Sequence, residues 1–469
     1  MAGLSSFLQR SSNRIHRSHD FWNGKRKGFA IASAMAMLAL NLLFLADLSY
    51  LYGVVFKSGD RVHHFKVLMV DFDGGVVGQS VNGAYQQFQG NTFPTLVQHD
   101  VSDFPTENDV REAVCKGHFW GAIYTHRDAS SRLSAALAGG EAATSYNPAD
   151  TITYVWNAAR YPSFSQGYVQ SNLVQLAGGA STVYNKINGT RAAQSVNVTD
   201  AAAVQALLNP IQGVAAPIQP TTQGTRVFYN TVGVIMPMLI NFFFVMALNG
   251  ISAQMQFLGR LPRLDNWIIR TVLSVVFTFT AALVTTAFTW EYKESWAVTG
   301  GDFALTWMAM WLFMHVNYYV YDMITAFIPM TFLAFFLFTW IIFNVGSAVA
   351  PFELTPGFYH WSYALPAKEL FDVLTSIWSK GCANVNYRAL PILFSWWAVG
   401  TVVSFFSTRR RCDDAMKAAA AEKAKWEKIL MNGDEEKKGD DMTQSANADL
   451  EKGTEDPSRT PSTATQSSI

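Results

Sequence analysis

The stretch FAIASAMAMLALNLLFLADLSY, Phe29–Tyr50, decides the fold, because its only charged residue is Asp47 and it can run on to Phe56 before Lys57 interrupts. At ~1.5 Å per residue it is long enough to cross the ~30 Å core of a bilayer as a helix. Arg10, Arg14, Arg17, Lys25, Arg26 and Lys27 precede it against the single acid Asp20. The positive-inside bias therefore places residues 1–28 in the cytoplasm and the chain after the span outside. A long basic leader, a long apolar run and the lack of a clear small-x-small cleavage site after it point to a retained anchor rather than a cleaved signal peptide.

Working outward, residues 57–225 are mixed in polarity, and then apolar runs follow closely: Val227–Leu248, Trp267–Thr289, Phe303–Tyr321, Ile324–Ala350 and Leu390–Ser407. His315, Asp322 and Pro329 mark where a tight turn splits the third and fourth of these, with Asp322 placed in the turn. The expected fold is an α-helical polytopic membrane protein of six transmembrane helices with both termini cytoplasmic. An extracytoplasmic α/β domain, 57–225, lies between helices one and two. The membrane block is 226–411, with a Pro-rich external segment at 350–369. Arg260, Arg263 and Arg270 and the run Arg409–Arg411 then fall on the inner side. Residues 412–469 read as a cytoplasmic helix to about Met431 and a disordered tail beyond Gly433, with Ser458, Thr460 and Ser462 as phosphate acceptors.

Half the residues are hydrophobic, 15% are charged and the net charge is zero, which argues against a nucleic-acid partner. Within 57–225, strands are expected at Phe65–Val70, Phe119–Tyr124 and Thr151–Trp156. Helices are expected from Val76 to Phe88, from a Thr106 cap to Lys116, from an Asp128 cap to Leu137, and from Phe164 to Asn185. Strands alternating with helices favour an α/β sandwich. Asn188-Gly189-Thr190 and Asn197-Val198-Thr199 fit the N-glycosylation pattern in a segment read as loop-like. Cys115 and Cys382 face the same outer compartment, so a bridge and two unpaired thiols both remain open, while Cys412 faces the cytosol.

No Walker-type Gly-x-x-x-x-Gly-Lys-Ser/Thr, His-Glu-x-x-His, Gly-x-Ser-x-Gly or Cys-x-x-Cys occurs, so no enzymatic chemistry, cofactor or metal is expected. Asp71-Phe72-Asp73-Gly74-Gly75 after a strand reads as a tight turn with capping acids. Ionisable residues in apolar spans are costly and point to a substrate path, which selects Asp47, His315 and Glu353. Glu353 lies in a segment with Pro351, Pro356 and Gly357, followed by Pro366, where a regular helix is broken and a re-entrant or interfacial hairpin is expected. Arg260 and Arg263, in the short 252–266 connection, are the candidate docking point for a partner.

One N-terminal span, Val70-Asp71-Phe72-Asp73-Gly74-Gly75, Phe119-Trp120-Gly121-Ala122-Ile123-Tyr124 and a five-span block with Tyr363-Ala364-Leu365-Pro366 together resemble the fungal nitrosoguanidine-resistance protein family, DUF3533-type membrane proteins, over about Phe29 to Arg411. The layout is more distantly similar to membrane subunits of type-2 ABC exporters and their phage-infection-protein relatives. The resemblance implies a plasma-membrane or endomembrane protein linked to resistance against alkylating agents, with a role in lipid distribution. Two function classes follow. One is a permease or export component for toxic small molecules or lipids, working with an ion gradient, a separate ATPase or a second copy. The other is a non-transporting scaffold acting on membrane lipid composition through its external domain.

Overall fold

The computed structural model describes residues 18–452, with side-chain surroundings through Glu427. Arg10, Arg14, Arg17, Ser458, Thr460 and Ser462 lie outside the described residues. Helix α1, Lys25–Val54, leads into the α/β unit: β1 Lys66–Asp71, α2 Val76–Phe88, β2 Thr95–His99, α3 Glu107–Cys115, β3 Gly121–Thr125, α4 Ala129–Ala138, β4 Ile152–Trp156, α5 Ser171–Ser195, α6 Ala201–Leu208 and β5 Gly213–Ala215. The sheet order is β2-β1-β3-β4-β5, parallel throughout except for the β3–β4 pair. Both faces are covered, and β3 and β4 are buried along their whole length, as expected when helices pack on two sides. Val67, Met69 and Ile123 join the core beneath α2 and α5, while Leu68, Val70, Ala122 and Val155 meet Val110 and Val114 of α3.

Local chemistry accounts for the joints. Asp71 Oδ1 accepts from the Asp73 and Gly74 amides, each at 3.1 Å, and from Thr125 Oγ1 at 2.6 Å, so the acids expected to form a tight turn do so. A Cβ at Gly78 would sit 1.9 Å from the Asp71 carboxylate, so only glycine lets α2 start this close to the turn. Thr106 and Asp109 form a reciprocal capping box at α3. Asp128 precedes α4 with a left-handed backbone and no side-chain cap, which departs from the expected N-cap.

Three readings of the unit need correction. The Thr95–His99 strand is short and half-polar and the Gly213–Ala215 strand has only 3 residues, so alternation did not reveal them. The long helix begins at Pro162, passes through a π-type stretch at Ser165–Gln170 and runs to Ser195. Asn188 therefore lies on a helix rather than in a loop, because buried Tyr184 and Ala192 carry the helix past a locally unfavourable Asn-Gly pair.

The helical block consists of α7 Val232–Gln254, α8 Arg263–Glu291, α9 Gly300–Phe327, α10 Leu333–Ala348, α11 Pro366–Trp378 and α12 Asn386–Lys452. Among the described residues, five helices are long and apolar enough to cross a membrane: α1, α7, α8, the α10 segment and the first part of α12. The chain is thus a multi-pass membrane protein. Helix α9 is not among the five, since His315, Asn317 and its tyrosines dilute its apolar character. It is nevertheless the buried centre of the block, with Phe313, Met314, Tyr318 and Tyr321 enclosed by neighbours. At ~1.5 Å per residue its 28 residues run about 42 Å, from one end of the block to the other.

Helix α1 stands at the periphery and docks chiefly on α10. Phe44 stacks on Phe338 at 5.8 Å, Thr339 donates to Asp47 at 3.1 Å, and Tyr50 lies against Gly346, where an added Cβ would come within 2.8 Å of the ring. Past Gly433, where composition predicts disorder, α12 continues to Lys452, because a helix under way adds residues without repeating the cost of nucleation.

Candidate functional site

The structure does not bring Asp47, His315 and Glu353 together. Asp47 is buried between α1 and α10 with Thr339 as its donor. His315 sits inside the block, where its Nδ1 accepts from Trp397 Nε1 at 3.1 Å and its Nε2 faces Ser274 Oγ at 3.2 Å. The indole can only donate, so Nε2 carries the proton and the imidazole is held neutral with both nitrogens engaged. Glu353 lies between the helical block and the α/β unit. Its carboxylate accepts from Trp120 Nε1 at 2.9 Å and faces Arg160 at 3.5 Å, and its carbonyl meets His64 at 2.9 Å. The broken segment after α10 is therefore clamped beneath the α/β unit as two short 3-10 turns, Phe352–Leu354 and Gly357–Ala364.

Around Glu353 the two units enclose a cavity of ≈ 120 Å³. Trp120, Arg160 and Tyr161 come from the α/β unit; Lys368, Asp372 and Thr375 come from α11, and Arg388 from α12. Helix α11 is almost wholly buried, so its charges need partners. Lys368 pairs with Asp372 one turn on, and Arg388 reaches Asp372 at 2.6 Å and Glu369 at 3.3 Å. Aromatic faces complete the setting, with Arg160 3.7 Å from the Trp120 ring centre and Arg388 4.6 Å from that of Tyr363.

Several polar atoms at this junction are buried without a partner among the described residues: Arg160 Nη1, Tyr161 Oη, Thr375 Oγ1 and Glu369 Oε1. Burial pushes the Tyr161 hydroxyl well above its ordinary range, with the Asp372 and Glu353 charges adding to the effect, so it stays a neutral donor. Burial also raises Glu369, against the pull of Arg388. A wider cleft of ≈ 490 Å³ shares Phe352, Glu353 and Tyr363 with the cavity and adds Arg61, His64 and His360. The arrangement can bind a small polar group, with donors and acceptors both within reach, and it presents a broader vestibule outside. Among the described residues no group of three or more His, Cys, Asp and Glu stands close enough to hold a metal.

The wall of this cavity is covalently tied. Cys115 at the end of α3 and Cys382 after α11 form a disulfide with a Cα–Cα distance of 4.5 Å, resolving the two alternatives that sequence left open. The adjoining Lys116, Gly117 and Ala383 line the cavity, and the Ala383 amide donates to the Cys115 carbonyl at 2.6 Å.

A second ion cluster lies at the end of the block away from the sheet. Asp322, expected in a turn, is inside α9, and the turn falls later, at Pro329. Its Oδ1 accepts from Arg270 Nη2 at 2.7 Å and Arg411 Nη1 at 2.8 Å. Two cations from distant helices fix the carboxylate, and this long-range pairing overrides the local expectation. Arg263 pairs with Asp413 at 2.6 Å, tying the α7–α8 connection to α12, while Arg260 is exposed at the end of that connection.

The junction residues Trp120, Arg160, Tyr161, Glu369, Asp372 and Arg388 were missed by sequence reasoning. Lys368 and Asp372 at i,i+4, with Glu369 between them, gave a usable local signal. Nothing local shows that Arg160 and Arg388 meet α11.

No solved structure matches the chain. A family model described as "Protein of unknown function (DUF3533)" matches residues 36–402. That match runs from within α1, through the α/β unit and the junction cavity, into α12, and so the chain belongs to the DUF3533 family.

Proposed function

We propose that the protein is a permease or export-type membrane component that takes small polar or amphipathic molecules, toxic alkylating agents among them, at the cavity between the α/β unit and the helical block. The observation that carries this reading is the set of buried donors without partners, Arg160 Nη1, Tyr161 Oη and Thr375 Oγ1, gathered at a polar cavity. Buried polar groups are ordinarily satisfied, so such a gathering marks a place for a ligand or ordered water. The sequence resemblance to nitrosoguanidine-resistance proteins supports the substrate class.

In this reading α9 is the sixth crossing, both termini are cytoplasmic and the α/β unit lies outside, at the plasma membrane or an endomembrane. The Cys115–Cys382 disulfide supports that placement, since such bonds persist in oxidising compartments. So do the sequons. Asn197 is exposed and its Oδ1 accepts from the Thr199 hydroxyl at 2.7 Å, which makes it the better glycan acceptor. Asn188 instead donates to Tyr184 at 2.9 Å. Energy comes from an ion gradient or a separate ATPase.

A second reading, a non-transporting scaffold acting on membrane lipids, is favoured by the packed centre of the block, where Phe313, Tyr318 and Tyr321 fill the space a path would need. Loss of a labelled nitrosoguanidine from preloaded cells separates the two, comparing no protein, wild type, Arg160→Gln and Glu353→Gln at matched surface expression. The export reading expects fast loss with wild type and slower loss with both variants. Equal rates throughout, with resistance still conferred by wild type, reject export and leave the scaffold.

A further inference from the structure

Where α1 ends, the chain passes from apolar to basic within a few residues. Phe56 closes the apolar run, Lys57 breaks it, and a 3-10 turn, Ser58–His64, brings in Arg61 and His64. That turn packs against Phe352–Leu354 of the broken segment. Tyr359 and Trp361 of the next turn lie on Tyr50, with ring centres 5.1 and 6.1 Å away, so Gly357–Ala364 sits beside the last turns of α1. The cleft of ≈ 490 Å³ between these turns therefore opens at the level where hydrocarbon meets headgroups, whichever side of the membrane that is. Phe358, next to the lining residue Gly357, is 73% exposed, and Phe56 is 61% exposed, bare aromatic rings of the kind that gather at a bilayer boundary.

Inside, the lining is basic. Glu353, the one carboxylate among the lining residues, is held by Arg160 and Trp120. Arg61 donates to the Phe56 carbonyl at 2.5 Å and has no ion pair among the described residues, so its positive charge stands unmatched. His64 Nδ1 lies 2.9 Å from the Glu353 carbonyl, and His360 Nε2 lies 3.2 Å from the Phe352 carbonyl. A carbonyl only accepts, so these nitrogens carry the protons. The other nitrogen of each ring is a lone pair in the neutral form and a second donor once the ring is protonated. A cleft of this size, within the range of about 300–1,000 Å³ usual for ligand pockets, can take a headgroup.

We propose that this cleft seats the phosphate of an anionic membrane phospholipid, with Arg61, His64 and His360 as its donors and the acyl chains leaving past Phe358 along the end of α1. Its place at the bilayer boundary selects a lipid over a soluble anion. The unmatched charge of Arg61 selects an anionic headgroup over a zwitterionic one, whose ammonium would find Glu353 already paired. Because both rings gain a donor on protonation, binding tightens as pH falls through the ordinary histidine range. The other titratable or charged groups beside the rings are Arg61, Glu353, His63, whose ring centre is 4.2 Å from that of His64, and Tyr363, 6.4 Å from His360. The site borders the junction cavity but concerns binding alone and does not rest on export.

The test follows thermal unfolding of purified full-length protein in maltoside detergent and phosphate-free buffer. The additions are phosphatidylglycerol, phosphatidylcholine, diacylglycerol and the chain-free glycerophosphoglycerol. Wild type is expected to gain Tm at lower concentrations of phosphatidylglycerol than of phosphatidylcholine, and to gain nothing from diacylglycerol or glycerophosphoglycerol. Arg61→Gln should weaken the phosphatidylglycerol response about tenfold or more in concentration, the effect of losing a charge-assisted hydrogen bond, and Arg61→Lys should keep most of it. Glu353→Gln removes the cleft's carboxylate while keeping an acceptor for Trp120, and should strengthen the response. The export reading expects the same change to slow loss of a labelled nitrosoguanidine, so the two readings fail separately. The tightening between about pH 7.5 and 5.5 should vanish when His64→Gln and His360→Gln are combined. No preference for phosphatidylglycerol over phosphatidylcholine, an equal gain from glycerophosphoglycerol, an undiminished response in Arg61→Gln, a weaker one in folded Glu353→Gln, or a pH dependence that survives loss of both histidines would overturn the proposal.

Discussion

The helical block holds a buried ion cluster near each end, and the two are built differently. Beside the α/β unit, Lys368 and Arg388 meet Glu369 and Asp372, two of each sign, next to a cavity. At the far end, Arg270 and Arg411 share the single carboxylate of Asp322. Burial makes unmatched charge expensive, so an even set can hold a shape unaided, whereas an uneven set carries a demand for another group. One cluster is balanced in charge and borders a cavity; the other carries an unmatched charge within its own walls.

Removing one cation from each cluster is the sharpest way to break this contrast. Arg388→Met strands Glu369 and Asp372 with only Lys368, and should lower unfolding stability by about 3 kcal/mol, the low end for a broken buried pair because Arg388 is itself 31% exposed. Thermal unfolding of the purified protein in detergent reads the loss, and a drop no greater than that of Arg270→Met would erase the distinction. Next in size is Cys382→Ser, which frees the junction end alone. It should cost about 2 kcal/mol, at the lower end for a native bridge because the surrounding helices stay confined by the membrane, and should expose the α3 and α11 ends to protease. Unchanged protease resistance would show that the non-covalent contacts hold that end by themselves.

Arg270→Met, by contrast, leaves Asp322 and Arg411 as a neutral pair and should cost about 1 kcal/mol or less, the value of ordinary hydrogen bonds. The smallest effect is in pH. Because burial raises Glu369, the folded chain binds that proton more tightly than the unfolded one. Its contribution is full below the ordinary glutamate value and fades as pH rises through the raised one. The Tm difference between wild type and Glu369→Gln should therefore fall with rising pH across that window, and a rising difference would show that Arg388 outweighs burial.

Much of the framework was legible in the residues. The apolar run Phe29–Tyr50 marked α1, and Val76–Phe88 and the Thr106 cap were read with nearly the observed bounds, because period and capping are local signals. Asp322 was misplaced because a charge in an apolar stretch resembles a break until its partners, 52 and 89 residues away, are known. Glu353 was found as an oddity among prolines, yet its role in the junction depends on Trp120 and Arg160, brought over by the sheet. Local pattern fixes elements, and the site arises where elements distant in sequence meet.

The bridge between Cys115 and Cys382 joins residues 267 positions apart, and this orders events during synthesis. At ~5–20 residues per second, roughly 13–53 s separate the two cysteines as they leave the ribosome. The sheet can fold and wait in that interval, but its thiol finds no mate until α11 has been placed. The bond thus closes only on a nearly finished molecule, and the oxidised form, seen as a faster band on a non-reducing gel, dates the completion of assembly.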